Sequence, residues 1–338
     1  MTTNRHVIDQ TPLYPLRFEP IYQYRLWGGR RLANLLSAPL HCDGPIGEAW
    51  LLSDRDNHPS HVANGPLKGR TLTQLLHQWP EQLLGKLAGR FRRFPLLLKF
   101  LDVRDTLSVQ VHPSDQQTNY LPTGETGKTE AWVVLEAETK SRIYAGLKPA
   151  TTADTLRRAL ANGTVADQLA SFIPKAGDGI FIPAGTVHSL GDVVVFEVQE
   201  NSDVTFRLYD WNHVDTRSGQ HRPLQVDQAM ACIDFAQKAI GPVVPMMDEL
   251  KPVLRERLFD CEHFGLWRFE AESPFGVGAE RSPRVLVCLG GDGQVEHDSV
   301  NYAIGKGDVL LLPAVVGACL CRPRRAINLL EISLPEGN

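Results

Sequence analysis

The sequence predicts a mainly β protein, built of two similar β-barrels with a helical insertion, from three observations. Most of the chain consists of short segments in which apolar and polar residues alternate between Gly and Pro, a pattern typical of strands joined by turns. Two stretches, residues 71–91 and 151–170, instead place their apolar residues at helical spacing. Residues 177–184 and 307–314 share one motif, in which five residues separate a Gly from a Pro. This internal repeat indicates that two parts of the chain fold alike.

Composition and charge exclude several classes of protein. The chain has 338 residues and a net charge of −4, which is long enough for sizeable cores but gives no electrostatic footprint for nucleic acid. The longest apolar run, residues 309–321, contains Pro313 and is too short to cross a bilayer. We therefore expect neither a nucleic-acid partner nor a membrane partner.

Cysteine usage suggests the compartment. The six cysteines include no Cys-x-x-Cys pair and no spacing typical of a disulfide framework: Cys42, Cys232, Cys261, Cys288, Cys319 and Cys321. Reduced thiols are typical of cytosolic proteins. The first residues also lack the apolar core of a signal peptide, so we expect a cytoplasmic protein.

The first fifty residues predict short strands and turns. Apolar runs at residues 16–20 and 46–52 alternate with Gly and Pro, and a short helix is expected at residues 31–36. Gly28-Gly29 is expected to form a turn, because no Gly-x-x-x-x-Gly-Lys phosphate loop follows it.

Further along the chain, strands alternate with the helical stretches. Residues that can cap a helix lie at the start of both stretches: Thr71 and Thr73 for the first, Thr152 and Asp154 for the second. The remaining elements are predicted as strands at residues 94–101, 106–113, 128–135 and 193–199, a short helix at 224–239, a linker at 241–245, and strands to the end.

These elements predict two domains. Residues 1–240 are expected to form the barrel that carries the chemistry, with helical insertions at about 66–93 and 151–172. Residues 241–338 are expected to form a second barrel. In the second copy of the repeat Ala318 stands in place of His188, so the second barrel is expected to lack metal ligands.

The strand predicted at residues 106–113 is a candidate functional element. Its alternation places Ser108, Gln110 and His112 on one face. In an apolar neighbourhood, Gln-x-His offers two uncharged lone-pair donors, which suit a divalent metal. A single strand histidine is more often a hydrogen-bonded core or surface residue. The metal interpretation therefore depends on residues elsewhere in the chain.

A second candidate is Glu197, which lies in the very apolar strand at residues 193–199. A strand of this composition is expected to be buried on both faces. A carboxylate there is costly unless it is paired or functional.

Gly177, Pro183, Gly185 and His188 form the motif Gly-x₅-Pro-x-Gly-x₂-His, which resembles the second motif of the cupin barrel, a jelly-roll fold. The resemblance implies that the histidine points into the barrel. It also implies that the other ligands come from an earlier His-x-His-type pair and a Glu that follows it. This chain offers Gln110-x-His112 and Glu130.

A wider resemblance covers nearly the whole chain. Six segments together resemble the short bacterial form of the type I phosphomannose isomerase family: residues 25–30, 46–50, 100–115, 127–132, 183–188 and 199–210. The resemblance implies reversible interconversion of D-mannose 6-phosphate and D-fructose 6-phosphate with one zinc ion per chain. It also implies roles for particular residues: Gln110, His112, Glu130 and His188 as metal ligands, Arg207 as the active-site arginine, Lys128 in a Lys-x-Glu motif, and Lys99 and Ser108 in the substrate pocket.

The implied reaction needs residues of these types. An aldose–ketose isomerase moves a proton between neighbouring carbons through a cis-enediolate whose charge must be stabilised. Zinc polarises the substrate oxygens. The positive charges of Arg207, Lys128 and Lys99 bind the phosphate and stabilise the enediolate. We take Glu197 as the hypothetical proton carrier, because burial would raise its pKa. The alternative is that Glu197 supports a metal-bound histidine or Arg207.

Two other functions compete with this one. A cupin acting on another sugar phosphate, or on oxygen with iron, would use a similar set of nitrogen and oxygen ligands, although oxygen chemistry would not need Lys128 and Arg207. A non-catalytic regulator that binds a sugar phosphate would be expected to lack a ligand or the arginine, and the sequence lacks neither.

Overall fold

The computed structural model describes residues 13–36, 40, 43–249 and 252–335, and two large antiparallel sheets dominate this part of the chain. The strands of the first two thirds are β1 (Leu16–Arg17), β2 (Ile21–Gly29), β3 (Ile46–Leu52), β4 (Asp54–Arg55), β5 (His58–Pro59), β6 (Leu96–Val103), β7 (Val109–Val111), β8 (Glu130–Leu147), β9 (Leu169–Phe172), β10 (Gly179–Ile182), β11 (His188–Glu200), β12 (Phe206–Tyr209), β13 (Val214–Asp215) and β14 (Gln220–His221). Those of the last third are β15 (Met246–Glu249), β16 (Val253–Asp260), β17 (Gly265–Ala271), β18 (Phe275–Val277), β19 (Arg284–His297), β20 (Val300–Gly305), β21 (Val309–Leu312) and β22 (Cys319–Ser333). The mainly β prediction is confirmed.

The helices are few and short. They are α1 (Leu72–Gln78), α2 (Pro80–Leu84), α3 (Ala153–Asn162) and α4 (Val226–Cys232), with 3₁₀ turns at Arg31–Asn34, Gly85–Leu87, Thr118–Tyr120 and Val165–Gln168. Thr71 and Thr152 each accept a hydrogen bond from the backbone N–H three residues on, so capping boxes begin α1 and α3 as the sequence predicts.

The first sheet places β11 at its centre. Its main strand order is β10-β8-β11-β6-β2-β3, and β7, β9 and β12 join at its margins. Strand β11 pairs with β6 on one side and with β8 on the other, and near its start also with β7. Side chains from these four neighbouring strands therefore converge at one end of the sheet.

The second sheet has the main order β1-β21-β19-β22-β17-β16-β15 and includes the first described strand. Leu16 and Arg17 of β1 pair with Leu311 and Leu310 of β21. The division of the chain near residue 240 stays a prediction, but this short strand contributes to the later sheet.

The two sheets share one apolar core. A single cluster of buried side chains includes Phe196 and Leu98 from the first sheet together with Leu311 and Leu16 from the second. Burying apolar surface is the dominant favourable contribution to folding, so the sheets stabilise each other through this common core.

The internal repeat has the same local geometry in both copies. Gly177 and Gly307 both have positive φ, at 91° and 85°. In each copy the following aspartate accepts a backbone N–H three residues back: Asp178 from Lys175 and Asp308 from Gly305, both at 2.8 Å. The repeated motif therefore forms the same turn before β10 and before β21.

Three local predictions need correction. The expected helix at residues 31–36 is only a 3₁₀ turn at Arg31–Asn34, and the helix expected at 224–239 is limited to α4. Gly28 and Gly29 end strand β2 instead of forming a turn. The physical reason at Gly28 is a close crossing, because a Cβ there would lie 2.3 Å from the backbone nitrogen of Gly47 on β3.

Cysteine and membrane predictions can be compared with the described residues. Five free cysteines lie among them: Cys232, Cys261, Cys288, Cys319 and Cys321. Cys42 and the N-terminal residues used in the signal-peptide argument lie outside the described part. No helix within the described ranges is long and apolar enough to span a membrane.

Candidate metal and substrate site

A cleft of about 380 Å³ opens at the end of the first sheet where β6, β7, β8 and β11 meet. Its charged lining residues are Arg25, Glu48, Lys99, Lys128, Glu197, Asp203, Arg207 and Arg222. Five of these eight are cationic, and the cleft therefore suits a small ligand with negative charge. Ser108 and Gln110 line the same cleft.

Three buried residues beside the cleft converge as a potential metal-binding group: His112, Glu130 and His188. His112 follows β7, whereas Glu130 and His188 are the first residues of β8 and β11. Glu130 Oε2 lies 3.5 Å from His112 Nε2, and Glu130 Oε1 lies 3.2 Å from His188 Nε2. All three side chains are 1% exposed, so three separate elements direct their polar atoms to one buried point.

The backbone fixes which nitrogen of each histidine faces that point. Nδ1 of His112 lies 2.9 Å from the Val204 carbonyl, and Nδ1 of His188 lies 2.9 Å from the Thr186 carbonyl. A carbonyl accepts, so each Nδ1 carries the hydrogen and each Nε2 presents its lone pair. Burial lowers the pKa of both rings, to about 3 for His112, which keeps them neutral as a metal ligand must be.

The remaining polar atoms of this group fit a cation. Burial alone would raise the pKa of Glu130, but the neighbouring ammonium of Lys128 holds it well below the usual value, so the carboxylate is ionised. Among the described residues, Glu130 Oε1 and His112 Nε2 have no hydrogen-bond partner, and Glu130 Oε2 has the ammonium of Lys128 nearby. Buried polar atoms are normally satisfied, and two neutral imidazoles with a carboxylate form a typical divalent-metal donor set.

Gln110 lies next to the potential metal-binding group. It pairs with His188 across β7 and β11, and its amide nitrogen lies 3.1 Å from His188 Nε2. Rotation of the amide about its last bond would exchange the positions of nitrogen and oxygen, and the oxygen is the atom that can bind a metal. Ligation by Gln110 stays a prediction.

Lys99 and Glu197 form a buried pair on the floor of the cleft. Lys99 Nζ lies 3.2 Å from Glu197 Oε1 and donates to Gln199 Oε1 at 2.6 Å. The other Glu197 oxygen accepts from Trp132 Nε1 at 3.0 Å. Burial raises the pKa of Glu197 in spite of Lys99. The contacts of Glu197 among the described residues therefore involve neither Arg207 nor the histidines of the metal-binding group.

Arg207 and Lys128 are two of the cations that line the cleft. Arg207 donates through Nε to Ser108 Oγ at 3.2 Å, and its pKa is lowered first by burial and then by Arg222. Lys128 Nζ lies 3.1 Å from Glu130 Oε2. Burial opposes the charge of Lys128, but Glu130 and Glu197 raise its pKa, so it remains a cation.

All nine residues singled out in the sequence therefore lie in or beside this cleft. The sequence reasoning missed other charged lining residues. Glu48 binds Arg25 through two hydrogen bonds, at 2.9 and 3.1 Å, and accepts from Trp50 at 2.6 Å. Arg222 is held by Asp210 through two hydrogen bonds.

The sequence contained partial evidence for the pair of Arg25 and Glu48. Arg25 and Glu48 both lie in segments that resemble the family. The sequence did not show that the two residues pair across β2 and β3. Arg222 lies in a loop after β14, where neither spacing nor periodicity marks it.

Comparisons with known proteins show which family the chain resembles. A sequence profile described as "Phosphomannose isomerase type I, catalytic domain" matches residues 16–144. The mannose-6-phosphate isomerase ManA of Bacillus subtilis strain 168 is 32% identical over 90% of this chain and 94% of its own. The mannose-6-phosphate isomerase of Streptococcus mutans is 33% identical over 89% of this chain and 93% of its own.

Solved structures show the same architecture. The mannose 6-phosphate isomerase of Bacillus subtilis superimposes with a TM-score of 0.86 at 28% identity, covering 94% of this chain and 99% of its own. A putative mannosephosphate isomerase of Archaeoglobus fulgidus, 22% identical with a TM-score of 0.75, covers 96% and 99% and shows the fold alone. The predicted architecture of cupin-like barrels with a helical insertion is confirmed.

Proposed function

The chain belongs to the type I phosphomannose isomerase family, and from this premise we propose that it interconverts D-mannose 6-phosphate and D-fructose 6-phosphate in the cleft. The observation that carries the proposal is the position of the buried group of His112, Glu130 and His188 beside a cleft whose charged lining residues are mostly cationic. The bacterial relatives named as mannose-6-phosphate isomerases extend over nearly the whole chain.

The metal in this proposal is one zinc ion per chain. His112, Glu130 and His188 would hold it, with Gln110 as a fourth ligand. Two imidazole nitrogens, a carboxylate and an amide, with no thiolate, suit Zn²⁺ with room for water or substrate. When bound, zinc supplies Lewis-acid polarisation of the substrate oxygens.

The proton carrier in this proposal is Glu197. Isomerisation removes a proton from the carbon beside the carbonyl and returns it to the neighbouring carbon through a cis-enediolate. Burial raises the pKa of Glu197, which brings the carboxylate closer to the working range of a general base. Trp132 holds one of its oxygens, and the other lies toward Lys99, so the carboxylate is oriented before substrate binds.

The cations of the cleft stabilise the enediolate and bind the phosphate in this proposal. Lys99 and Lys128 lie next to Glu197 and Glu130, where they balance the negative charge that develops on the enediolate. Arg207, fixed by Ser108, presents a planar guanidinium suited to a phosphate. Ser108 thereby acts on substrate binding both directly and through the arginine.

A coupled assay tests the proposal. Purified protein should convert mannose 6-phosphate to fructose 6-phosphate, lose this activity after treatment with a chelator, and regain it when zinc is added back. Absence of turnover by the zinc-loaded protein would contradict the proposed reaction. Full turnover after complete metal removal would contradict the role of the metal.

A further inference from the structure

The segment at residues 126–130 carries two residues of the proposed site on one side. Lys128 and Glu130 face the cleft and the metal-binding group, while Thr129 lies between them in the chain. Only Glu130 belongs to a strand, as the first residue of β8. The position of Lys128 and Thr129 therefore depends on contacts other than those of the sheet ladder.

The opposite side of this segment is held by the last residue of β11, Glu200, and by Ser202 in the loop that follows. Glu200 Oε2 accepts the backbone N–H of Thr129 at 2.7 Å, and the Glu200 backbone N–H donates to the Thr129 carbonyl at 3.1 Å. Ser202 Oγ donates to the Thr126 carbonyl at 2.8 Å. Glu200 thus binds both backbone polar groups of Thr129, which lies between the two residues of the site.

A second carboxylate holds the same segment beside Glu200. Asp115 Oδ1 accepts the backbone N–H of Gly127 at 2.7 Å. Gly127 also lies directly against the neighbouring backbone, since a Cβ there would be 2.6 Å from the Asp115 nitrogen. The segment therefore has little room to move on this side.

The other oxygen of Glu200 faces the second sheet. Glu200 Oε1 lies 3.3 Å from Nδ1 of His263, which stands in the turn between β16 and β17. Glu200 is 7% exposed, and the ligand atoms of Asp115, Glu200 and His263 all lie within 4.8 Å of one another. A side chain from the last third of the chain thus contacts the carboxylate that binds Thr129.

We propose that Glu200 is a positioning residue for this reaction, and that His263, in the turn between β16 and β17 of the second sheet, holds it in place. Glu200 touches neither the cleft nor the metal-binding group and acts through Thr129 on Lys128 and Glu130. The kinetic part of this inference rests on the proposed function, whereas the structural part does not. It gives the last third of the chain, where Ala318 stands in place of the histidine of the repeated motif, a part in positioning the site.

Small displacements at such a segment have large effects. A shift of about 1 Å in a group that positions substrate costs on the order of 100-fold in rate. Hydrogen bonds to a carboxylate are roughly twice as strong as bonds between neutral groups. Loss of the Glu200 carboxylate should therefore loosen Thr129 and disturb Lys128 and Glu130 together.

Glu200→Ala is the first test, with measurements that do not depend on turnover. Amide hydrogen exchange in the metal-free protein should become faster across residues 126–130, and the dissociation constant for Zn²⁺, measured by chelator competition, should rise about 10-fold or more. In the assay, kcat should fall on the order of 10- to 100-fold. Glu200→Gln should recover most of the loss, because an amide oxygen can accept the same Thr129 N–H.

His263→Ala tests the contribution of the second sheet. It should change the amide hydrogen exchange of residues 126–130, the zinc affinity and kcat in the same direction as Glu200→Ala does. The changes should be smaller, because the hydrogen bond between Glu200 and Thr129 remains. Glu262→Gln is the matched control, since exposed Glu262 contacts Nε2 of the same histidine at 3.2 Å without reaching Thr129. It should behave as the parent.

The outcomes are distinguishable. If Glu200→Ala keeps the parent exchange rates at residues 126–130 and the parent zinc constant, the inference is wrong. It is also wrong if the lost activity only matches the unfolded fraction seen in thermal unfolding. If Glu200→Ala does not fold, His263→Ala decides by the same measurements. Failure of the proposed function is separate, because the zinc-loaded parent itself would then not turn over mannose 6-phosphate.

Discussion

Lys99 and Glu197 stand directly opposite each other on β6 and β11, with 3.2 Å between Lys99 Nζ and Glu197 Oε1. Both side chains are 4% exposed. An ion pair normally lowers the pKa of its carboxylate, yet burial outweighs Lys99 and the pKa of Glu197 is raised. A carboxylate with these neighbours is suited to accept a proton and to return it.

Glu197→Gln should lower kcat by about 10²- to 10⁴-fold, which is the usual contribution of a general base. The content of bound zinc should not change, because Glu197 contacts Trp132 and Lys99 and lies outside the metal-binding group. Steady-state kinetics and metal analysis of the same preparation measure both. Glu331→Gln, a buried carboxylate of the second sheet, is the control and should keep parent turnover. Near-normal turnover by Glu197→Gln would eliminate it as the base.

Zinc removal should lower the melting temperature as well as the activity. The histidine and carboxylate atoms of the metal-binding group converge only in the folded chain, so zinc binds the folded state preferentially. At a free zinc concentration about 100 times Kd, this linkage stabilises the protein by about 2.7 kcal/mol. Calorimetry with and without chelator measures the shift. His188→Ala should show little zinc-dependent shift, and a shift equal to that of the parent would contradict the assignment.

Gln110 and His112 should differ in their effect on zinc affinity. His112→Ala removes the buried Nε2 that faces Glu130, and stoichiometric zinc binding should be lost. Gln110→Ala should weaken binding by about 10- to 100-fold, since a neutral amide is a weaker donor. Chelator competition measures both constants. An unchanged constant for Gln110→Ala would show that its amide serves only as a neighbour of His188.

Glu48 should contribute a pH-dependent part of the stability. Burial would raise its pKa, but Arg25 and Lys99 lower it from 4.5 to about 2, a shift that corresponds to about 3 kcal/mol. Because the folded-state pKa is depressed, this stabilisation is present above the unfolded-state pKa and is lost as the pH falls toward 2. Urea unfolding of the parent and of Glu48→Gln should therefore differ most at neutral pH. A difference that stays constant from pH 7 to pH 3 would contradict this account.

Gly28 should tolerate no side chain. Its Cβ would lie 2.3 Å from the Gly47 nitrogen, so Gly28→Ala must push β2 away from β3. We expect a loss of about 3 kcal/mol in the free energy of unfolding. Gly276→Ala is the matched control in strand β18, where a Cβ meets no atom of the described chain within 4 Å, and it should change stability by less than about 0.5 kcal/mol. Equal stability of the two variants would refute the argument from crowding.

The sequence predicted which candidate residues lie together better than it predicted the arrangement of the sheets. Ser108, Gln110 and His112 could be placed on one face because strand alternation is local, although only Val109–Val111 forms a regular strand. The repeat before β10 and β21 was recognisable because Gly177 and Gly307 need the same positive φ. Such features depend on a few neighbouring residues.

Features that depend on distant residues were not predictable in this way. The hydrogen bond from Thr129 to Glu200 joins positions 71 apart in the chain, and no periodicity marks it. The lowered pKa of Glu48 depends on Arg25 from the neighbouring strand. Side-chain pairs of this kind are settled by how strands come together, which a single sequence does not reveal.

The pairing of β1 with β21 has a consequence for synthesis of the chain. Leu16 and Arg17 leave the ribosome early, yet their partners Leu311 and Leu310 are translated near the end. In the nascent polypeptide, β1 therefore stays unpaired with β21 until almost the whole chain has been synthesised. A fragment that stops near residue 240 would expose Leu16 to solvent, and we expect such fragments to aggregate when expressed alone.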